Sequence, residues 1–112
     1  MLSDDVLPFS RWVNSLRDYA AKLRVTARIV RLINTGNLGD HRERISGAVS
    51  EMRIDYGPGY RIYYVQQGTV LILLLAGGTK DSQQNDIVEA VRLWEICKND
   101  VEKLSRDFGG TA

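Results

Sequence analysis

"EMRIDYGPGYRIYY", residues 51–64, decides the fold of this 112-residue chain. Met52, Ile54 and Tyr56 alternate with Glu51, Arg53 and Asp55, the period of two that a β-strand with one buried face imposes. "GPG" at 57–59 is turn chemistry, because Pro58 sets φ and the flanking glycines accept positive φ. Directly opposed residues of an antiparallel pair share a face, so the charges constrain the loop length. A three-residue loop sets Tyr56 against Tyr60, Asp55 against Arg61 and Arg53 against Tyr63. A four-residue loop would set Arg61 against Ile54 on the buried side, where a guanidinium without a partner costs several kcal/mol. The three-residue register is therefore expected, and it gathers Glu51, Arg53, Asp55, Arg61 and Tyr63 on one surface.

Outward from this hairpin, Gln67-Gly68 predicts a second turn into "TVLILLLA", residues 69–76, whose unbroken apolar character suggests a central strand covered on both faces. "GGTKDSQQND" then reads as a loop carrying Lys80. From about Ser82 to Arg106, Ile87, Val91, Trp94, Cys97, Val101 and Leu104 recur at steps of four and three, an amphipathic helix. On the other side, "GNLGDHRERISG", residues 36–47, is rich in turn formers. Upstream of it a helix or helix pair is expected from about Ser10, a plausible N-cap, to Thr35, with Gly36 as the C-terminal stop. Leu16, Ala20, Leu23, Ala27 and Val30 form its apolar stripe. Beside that stripe run Arg17, Arg24, Arg28 and Arg31, facing water or phosphate. Helices, an antiparallel meander and a final helix make an α+β domain, one unit over residues 1–112.

Composition narrows the function classes. With 44% hydrophobic and 26% charged residues the chain has the make-up of an ordinary globular protein. "TVLILLLA" is far shorter than the roughly 20 residues of a membrane-spanning helix. "MLSDDVLPF" is acidic where a secretory signal is basic, so a cytoplasmic location and no membrane partner are expected. The single cysteine, Cys97, excludes an intrachain disulfide and cysteine-type metal clusters. The net charge of +1 hides an asymmetry: residues 11–61 hold ten Lys or Arg against five Asp or Glu. That half can meet a polyanion such as nucleic acid, or can simply present solvated helix faces.

With this order of elements, "NTGNLGDHRERISGAVSEMRIDYGPGYRIYY" followed by "LLLAGGTKDSQQNDI" resembles the phage-derived, HigB-like branch of the RelE/ParE toxin superfamily. These are addiction-module killer proteins of type II toxin-antitoxin systems. The most specific pieces are "GNLGD", "ExRIDYGPGYR" and "GGxK" followed by "QxxDI", and the likeness covers roughly residues 9–93. The resemblance implies a RelE-like small sheet with basic residues, held inactive by a cognate helix-turn-helix, HigA-like antitoxin, through which it would also reach operator DNA. Relatives of the RelE and HigB kind cleave mRNA on the ribosome without a metal, as endoribonucleases that inhibit translation. The ParE kind binds DNA gyrase and cuts nothing, and an inactive co-repressor is a third reading.

Metal-free RNA cleavage needs a base for the ribose 2′-OH, an acid for the 5′-oxygen and a counter-charge for the phosphorane. Arginine supplies the last, since its fork is always charged and matches phosphate oxygens. Arg53 and Arg61 are the candidates to clasp the phosphate, the alternative being two surface arginines neutralised by Glu51 and Asp55. Lys80 and Tyr63 are the candidates for proton transfer, while Tyr60 at the hairpin mouth can stack on a base. His41, Arg42 and Arg44 in the "GDHRER" turn are RNA-binding candidates, His41 alternatively being a solvated loop residue. With one histidine and no clustered carboxylates, neither metal nor cofactor is expected. Tyr56, Tyr64, Trp12, Trp94 and Cys97 read as packing residues.

Overall fold

The computed structural model describes residues 8–68 and 71–108. Its elements are α1 (Pro8–Ser15), α2 (Tyr19–Thr35), β1 (His41–Ser46), β2 (Val49–Ile54), β3 (Tyr60–Gln67), β4 (Leu71–Thr79), a 3-10 turn (Lys80–Ser82) and α3 (Gln83–Phe108). The four strands form one antiparallel meander in the order β1-β2-β3-β4. The protein is thus α+β, with an N-terminal helical pair and a long C-terminal helix.

Local chemistry sets both ends of α2, whereas Ser10, expected as an N-cap, lies inside α1. The Asp18 carboxylate accepts from the amides of Ala20 and Ala21 and caps α2 at its start. At its other end Gly36 adopts φ 72° and its amide donates to the Leu32 carbonyl at 2.8 Å. The segment expected to be turn throughout, residues 36–47, instead contributes β1, which pairs His41 with Met52 and Arg42 with Glu51 before an irregularity at Arg44, whose φ is +51°. "HRERIS" hides its alternation because the bulge breaks the period of two.

Helices cover both faces of the sheet. Met52, Ile54, Tyr60, Ile62 and Tyr64 point to one side and pack with Ala21, Val25 and Leu32 of α2 and with Phe9, Trp12 and Val13 of α1. Val49, Tyr63, Val65, Leu75 and Ala76 point to the other and meet Ala90, Trp94 and Val101 of α3, with Cys97 beside them. Trp12, Trp94, Tyr56, Tyr64 and Cys97 are packed residues, as expected.

Further expectations are corrected. Residues 77–86, expected as a loop, are the end of β4, the 3-10 turn with Lys80 and the start of α3. "ILLLA", residues 72–76, is covered on both faces, but β4 is an edge strand, and β2 and β3 are the central ones. Continuous apolarity reports cover by helices on both sides, and an edge strand between two helical layers has that cover too. The first two residues of "TVLILLLA" lie outside the described residues.

Of the expected stripe, Leu16 precedes α2 and packs on the core, but Ala20, Leu23, Ala27 and Val30 are not the packed face of the helix. Leu23 and Val30 are exposed, whereas Ala21, Val25 and Leu32 are buried and Ile29 packs beside them. The helix is apolar on two sides, and only contact with the sheet decides which one is core. Arg28, spaced with Ala21, Val25 and Leu32, falls on the inner side and not on the expected solvent-facing basic stripe.

Finally, the β2–β3 hairpin has a five-residue loop, Asp55–Gly59, with Ile54 against Tyr60, Arg53 against Arg61 and Glu51 against Tyr63. The register lies two residues from the expected one. A two-residue slip preserves parity, so the expected grouping of faces survives, and the two arginines become direct cross-strand partners.

Two adjacent glycines let β4 fit between the helical layers. A Cβ on Gly77 would stand 2.1 Å from the Trp12 ring of α1, and one on Gly78 would collide with the Asp86 carboxylate of α3. "GG" in the strand is therefore a packing requirement from both sides at once.

Candidate functional site

The face of the sheet under α3 is apolar at one end and charged at the other. At the charged end, beside the start of α3, Arg53 of β2 and Arg61 of β3 stand opposite one another. Gly78 of β4 lies across from Arg61 and places no side chain over it. Next come the hairpin loop, with Gly57, Pro58 and Gly59, and the first turn after β4, with Lys80. Together with Asp40 and Asp55 they line a cleft of about 420 Å³. The Lys80 amide donates to the Gly59 carbonyl at 2.8 Å, tying the hairpin tip to the end of β4. Lys80 itself is exposed at the rim.

Each arginine has its own carboxylate. Arg53 donates through Nη2 to Oδ1 of Asp40 at 2.8 Å, an outer pair with side chains 34% and 58% exposed. Arg61 lies deeper, 14% exposed, with Nε 3.9 Å from Glu51, whose carboxylate is almost wholly buried. Gln83 at the start of α3 donates to both oxygens of that carboxylate, at 3.2 and 3.3 Å. The two pairs differ in kind. An exposed pair contributes about 0–1 kcal/mol and can exchange Asp40 for an incoming phosphate, whereas a buried one is held by the loss its separation would cause. The Nε groups of both arginines have no hydrogen-bond partner among the described residues.

Arg28 organises the edge of this cleft from behind. Its guanidinium donates to the carbonyls of Arg53 (2.6 Å), Leu38 (2.8 Å) and Asp40 (2.8 Å), stitching α2 and the 36–40 turn to the end of β2. Burial, together with the neighbouring Arg31, lowers its pKa. Gly39 passes so close to Arg28 and Arg31 that a Cβ there would overlap both guanidinium groups. The "GNLGD" stretch thus brings Asp40 to Arg53. This role was missed in the sequence, where the one available signal was the spacing of Arg28 with Ala21, Val25 and Leu32.

The other expected site residues fall elsewhere. Tyr63 shares the arginine face but is fully buried under α3, its hydroxyl without a hydrogen-bond partner among the described residues and its pKa raised by burial and by Glu51. It is a core residue and does not line the cleft where proton transfer was expected of it. Tyr60 belongs to the opposite face, where its ring lies 6.3 Å from that of Trp12 and burial raises its pKa. His41 opens β1 rather than sitting in a turn, and its pairing with Met52 puts it on the face away from the arginines. Its Nδ1 is 2.7 Å from the Gly39 carbonyl. Arg42 is exposed on the arginine face opposite Glu51, and Arg44 is exposed at the β1 irregularity; neither lines the cleft. Arg53, Arg61 and Lys80 are the expected residues brought together.

Among the described residues no group of three His, Cys, Asp or Glu could hold a metal ion, and no helix is long and apolar enough to cross a membrane.

No family model and no solved structure matches the chain. An uncharacterized protein of Haemophilus influenzae (strain ATCC 51907 / DSM 11121 / KW20 / Rd) is 43% identical over 84 residues, which cover 75% of this chain and 83% of that one.

Proposed function

We propose that this chain, a member of the same family as the uncharacterized Haemophilus influenzae protein, is the toxin of a type II toxin-antitoxin pair, a metal-independent mRNA endonuclease acting on the ribosome in the cytoplasm. The observation that carries the reading is the direct opposition of Arg53 and Arg61 on one face, opening with Lys80 into a single cleft. The motifs shared with HigB-like and RelE-like toxins add to it.

In this mechanism the scissile phosphate enters beside Arg53 and displaces the exchangeable Asp40. Arg61, fixed from below by Glu51, meets the second phosphate oxygen. The 2′-oxygen attacks phosphorus, the bond to the 5′-oxygen breaks, and the two guanidinium groups offset the charge that builds on the equatorial oxygens. Lys80, at the rim, is assigned the transfer of the proton from the 2′-hydroxyl to the departing 5′-oxygen. Tyr63 has no part in this chemistry, and its work is to pack under α3. A helix-turn-helix antitoxin is the partner this reading implies.

Induced expression tests it. The wild-type chain should arrest growth and produce new 5′ ends within codons of translated mRNA. Arg53→Ala, which removes only a surface ion pair, should abolish both while leaving the fold intact by circular dichroism. Arrest without new 5′ ends would replace cleavage by binding of a target, as in the ParE kind. Arrest and cleavage unchanged in Arg53→Ala would overturn the site.

A further inference from the structure

Arg24, Ala27, Arg28 and Arg31 follow one another at helical steps of three and four, which stacks them on one side of α2. With Ile54 and Asp55 at the end of β2 they line a groove of about 360 Å³. Successive residues of a strand point to opposite faces, so the groove beside Ile54 and the cleft beside Arg53 lie on opposite sides of the sheet. Asp55 stands on the rim of both.

Three cations meet one carboxylate in this groove. Helix α2 contains no Asp or Glu, and Arg24, Arg31 and Asp55 form no ion pair with another described residue. Like charges three and four residues apart destabilise a helix, and side chains free in water relieve the repulsion by splaying apart. Here they are held. The Arg24 guanidinium lies over the Tyr56 ring, 4.3 Å from its centroid, a contact that leaves the donors along the guanidinium edge open. A Cβ on Gly39 would stand 2.2 Å from Nη2 of Arg31 and 2.8 Å from Nε of Arg28, so those two nitrogens are no more than 5.0 Å apart. The crowding is electrostatic as well as steric, since the Arg28 pKa is lowered first by burial and next by Arg31. Arg28 gives its Nη donors to carbonyls, and its buried Nε has no hydrogen-bond partner among the described residues.

Three cations against one carboxylate leave two positive charges to be met. A carboxylate fills a single fork, whereas a phosphate turns a separate oxygen to each of several guanidinium groups and carries the larger charge. We propose that the groove between α2 and the β2–β3 hairpin is a phosphate-binding site apart from the nuclease cleft, gripped by Arg24 and Arg31. The phosphate belongs to a nucleic-acid strand or to a free polyphosphate. The inference goes beyond the proposed nuclease activity and does not depend on it, since Arg53, Arg61 and Lys80 line the other cleft.

The test uses the full chain and two probes. One is a labelled single-stranded oligoribonucleotide with 2′-O-methyl riboses, which attack by a 2′-oxygen cannot cut, read by fluorescence anisotropy. The other is sodium tripolyphosphate, read by calorimetry. Arg24→Gln and Arg31→Gln, both at exposed positions, should each weaken binding about tenfold, and for the RNA should lower the slope of log affinity against log salt by about 0.7. Lys22→Gln removes the same charge from the far side of the helix and should leave affinity within about twofold. Loss with the RNA assigns the site to a nucleic-acid strand, and loss with tripolyphosphate alone assigns it to a free polyphosphate. Groove-dependent binding in a chain that cuts no unmodified RNA would end the nuclease reading and support this site. Cleavage lost in Arg53→Ala, with binding indifferent to Arg24 and Arg31, would do the reverse. Binding of neither probe, or an equal loss in Lys22→Gln, would also overturn the proposal.

Discussion

The two faces of the sheet are built by different rules. Toward α1 and α2 the strands present Met52, Ile54, Tyr60, Ile62 and Tyr64, an apolar surface closed by apolar helices. Toward α3 the same strands present Val49, Tyr63 and Val65, then Glu51, Arg53 and Arg61. The first face gains its stability from area removed from water. The second must find a partner for each charge it covers, and it finds Gln83 for Glu51, Glu51 for Arg61 and Asp40 for Arg53. Charge at the end of a covered face is what turns a packing surface into a cleft.

Removing one side of the inner pair should show this most strongly. Glu51→Leu leaves Arg61 without a counter-charge and is expected to cost about 3–5 kcal/mol in urea unfolding, much of which the double variant Glu51→Leu/Arg61→Met should restore. If the single variant were as stable as wild type, Arg61 would already be solvated. On the apolar face Ile62→Ala, at a fully buried position, should cost about 2–5 kcal/mol with no such rescue available.

Between the faces, Gly77→Ala pushes a methyl into the Trp12 ring and should cost about 1–3 kcal/mol, together with a shift in tryptophan fluorescence. Smaller effects separate the hydroxyls and the outer charges. Tyr60, Tyr63 and Tyr64 all have pKa values raised first of all by burial. Each binds its phenolic proton more tightly in the folded chain than in the unfolded one. Their contribution to stability is therefore complete below the ordinary phenol value and is lost as pH rises through the raised ones.

Tyrosinate absorbance from Tyr60, Tyr63 and Tyr64 should accordingly appear only with unfolding. Tyr63→Phe, which deletes a hydroxyl without a hydrogen-bond partner among the described residues, should leave stability at neutral pH unchanged or higher and extend it toward alkaline pH. The least effect belongs to Asp40→Asn, expected to change stability by about 0–1 kcal/mol while strengthening the binding of a short RNA read by filter retention. Weaker RNA binding in that variant would mean that Asp40 positions Arg53 rather than occupying it.

Periodicity and turn chemistry by themselves determined the α+β order, the extent of the last helix, the stop at Gly36 and the fact that Arg53 and Arg61 share a face. Those are local properties, and parity in particular survives the two-residue shift between the expected and the observed hairpin register. Tertiary structure alone decided which apolar side of α2 is buried, that Arg28 turns inward to three carbonyls, that Tyr63 disappears under α3, and that β4 lies at the edge. Each of these depends on what another element covers. A strand or helix records in its own residues which of them point the same way, but burial and charge pairing are set by partners far along the chain.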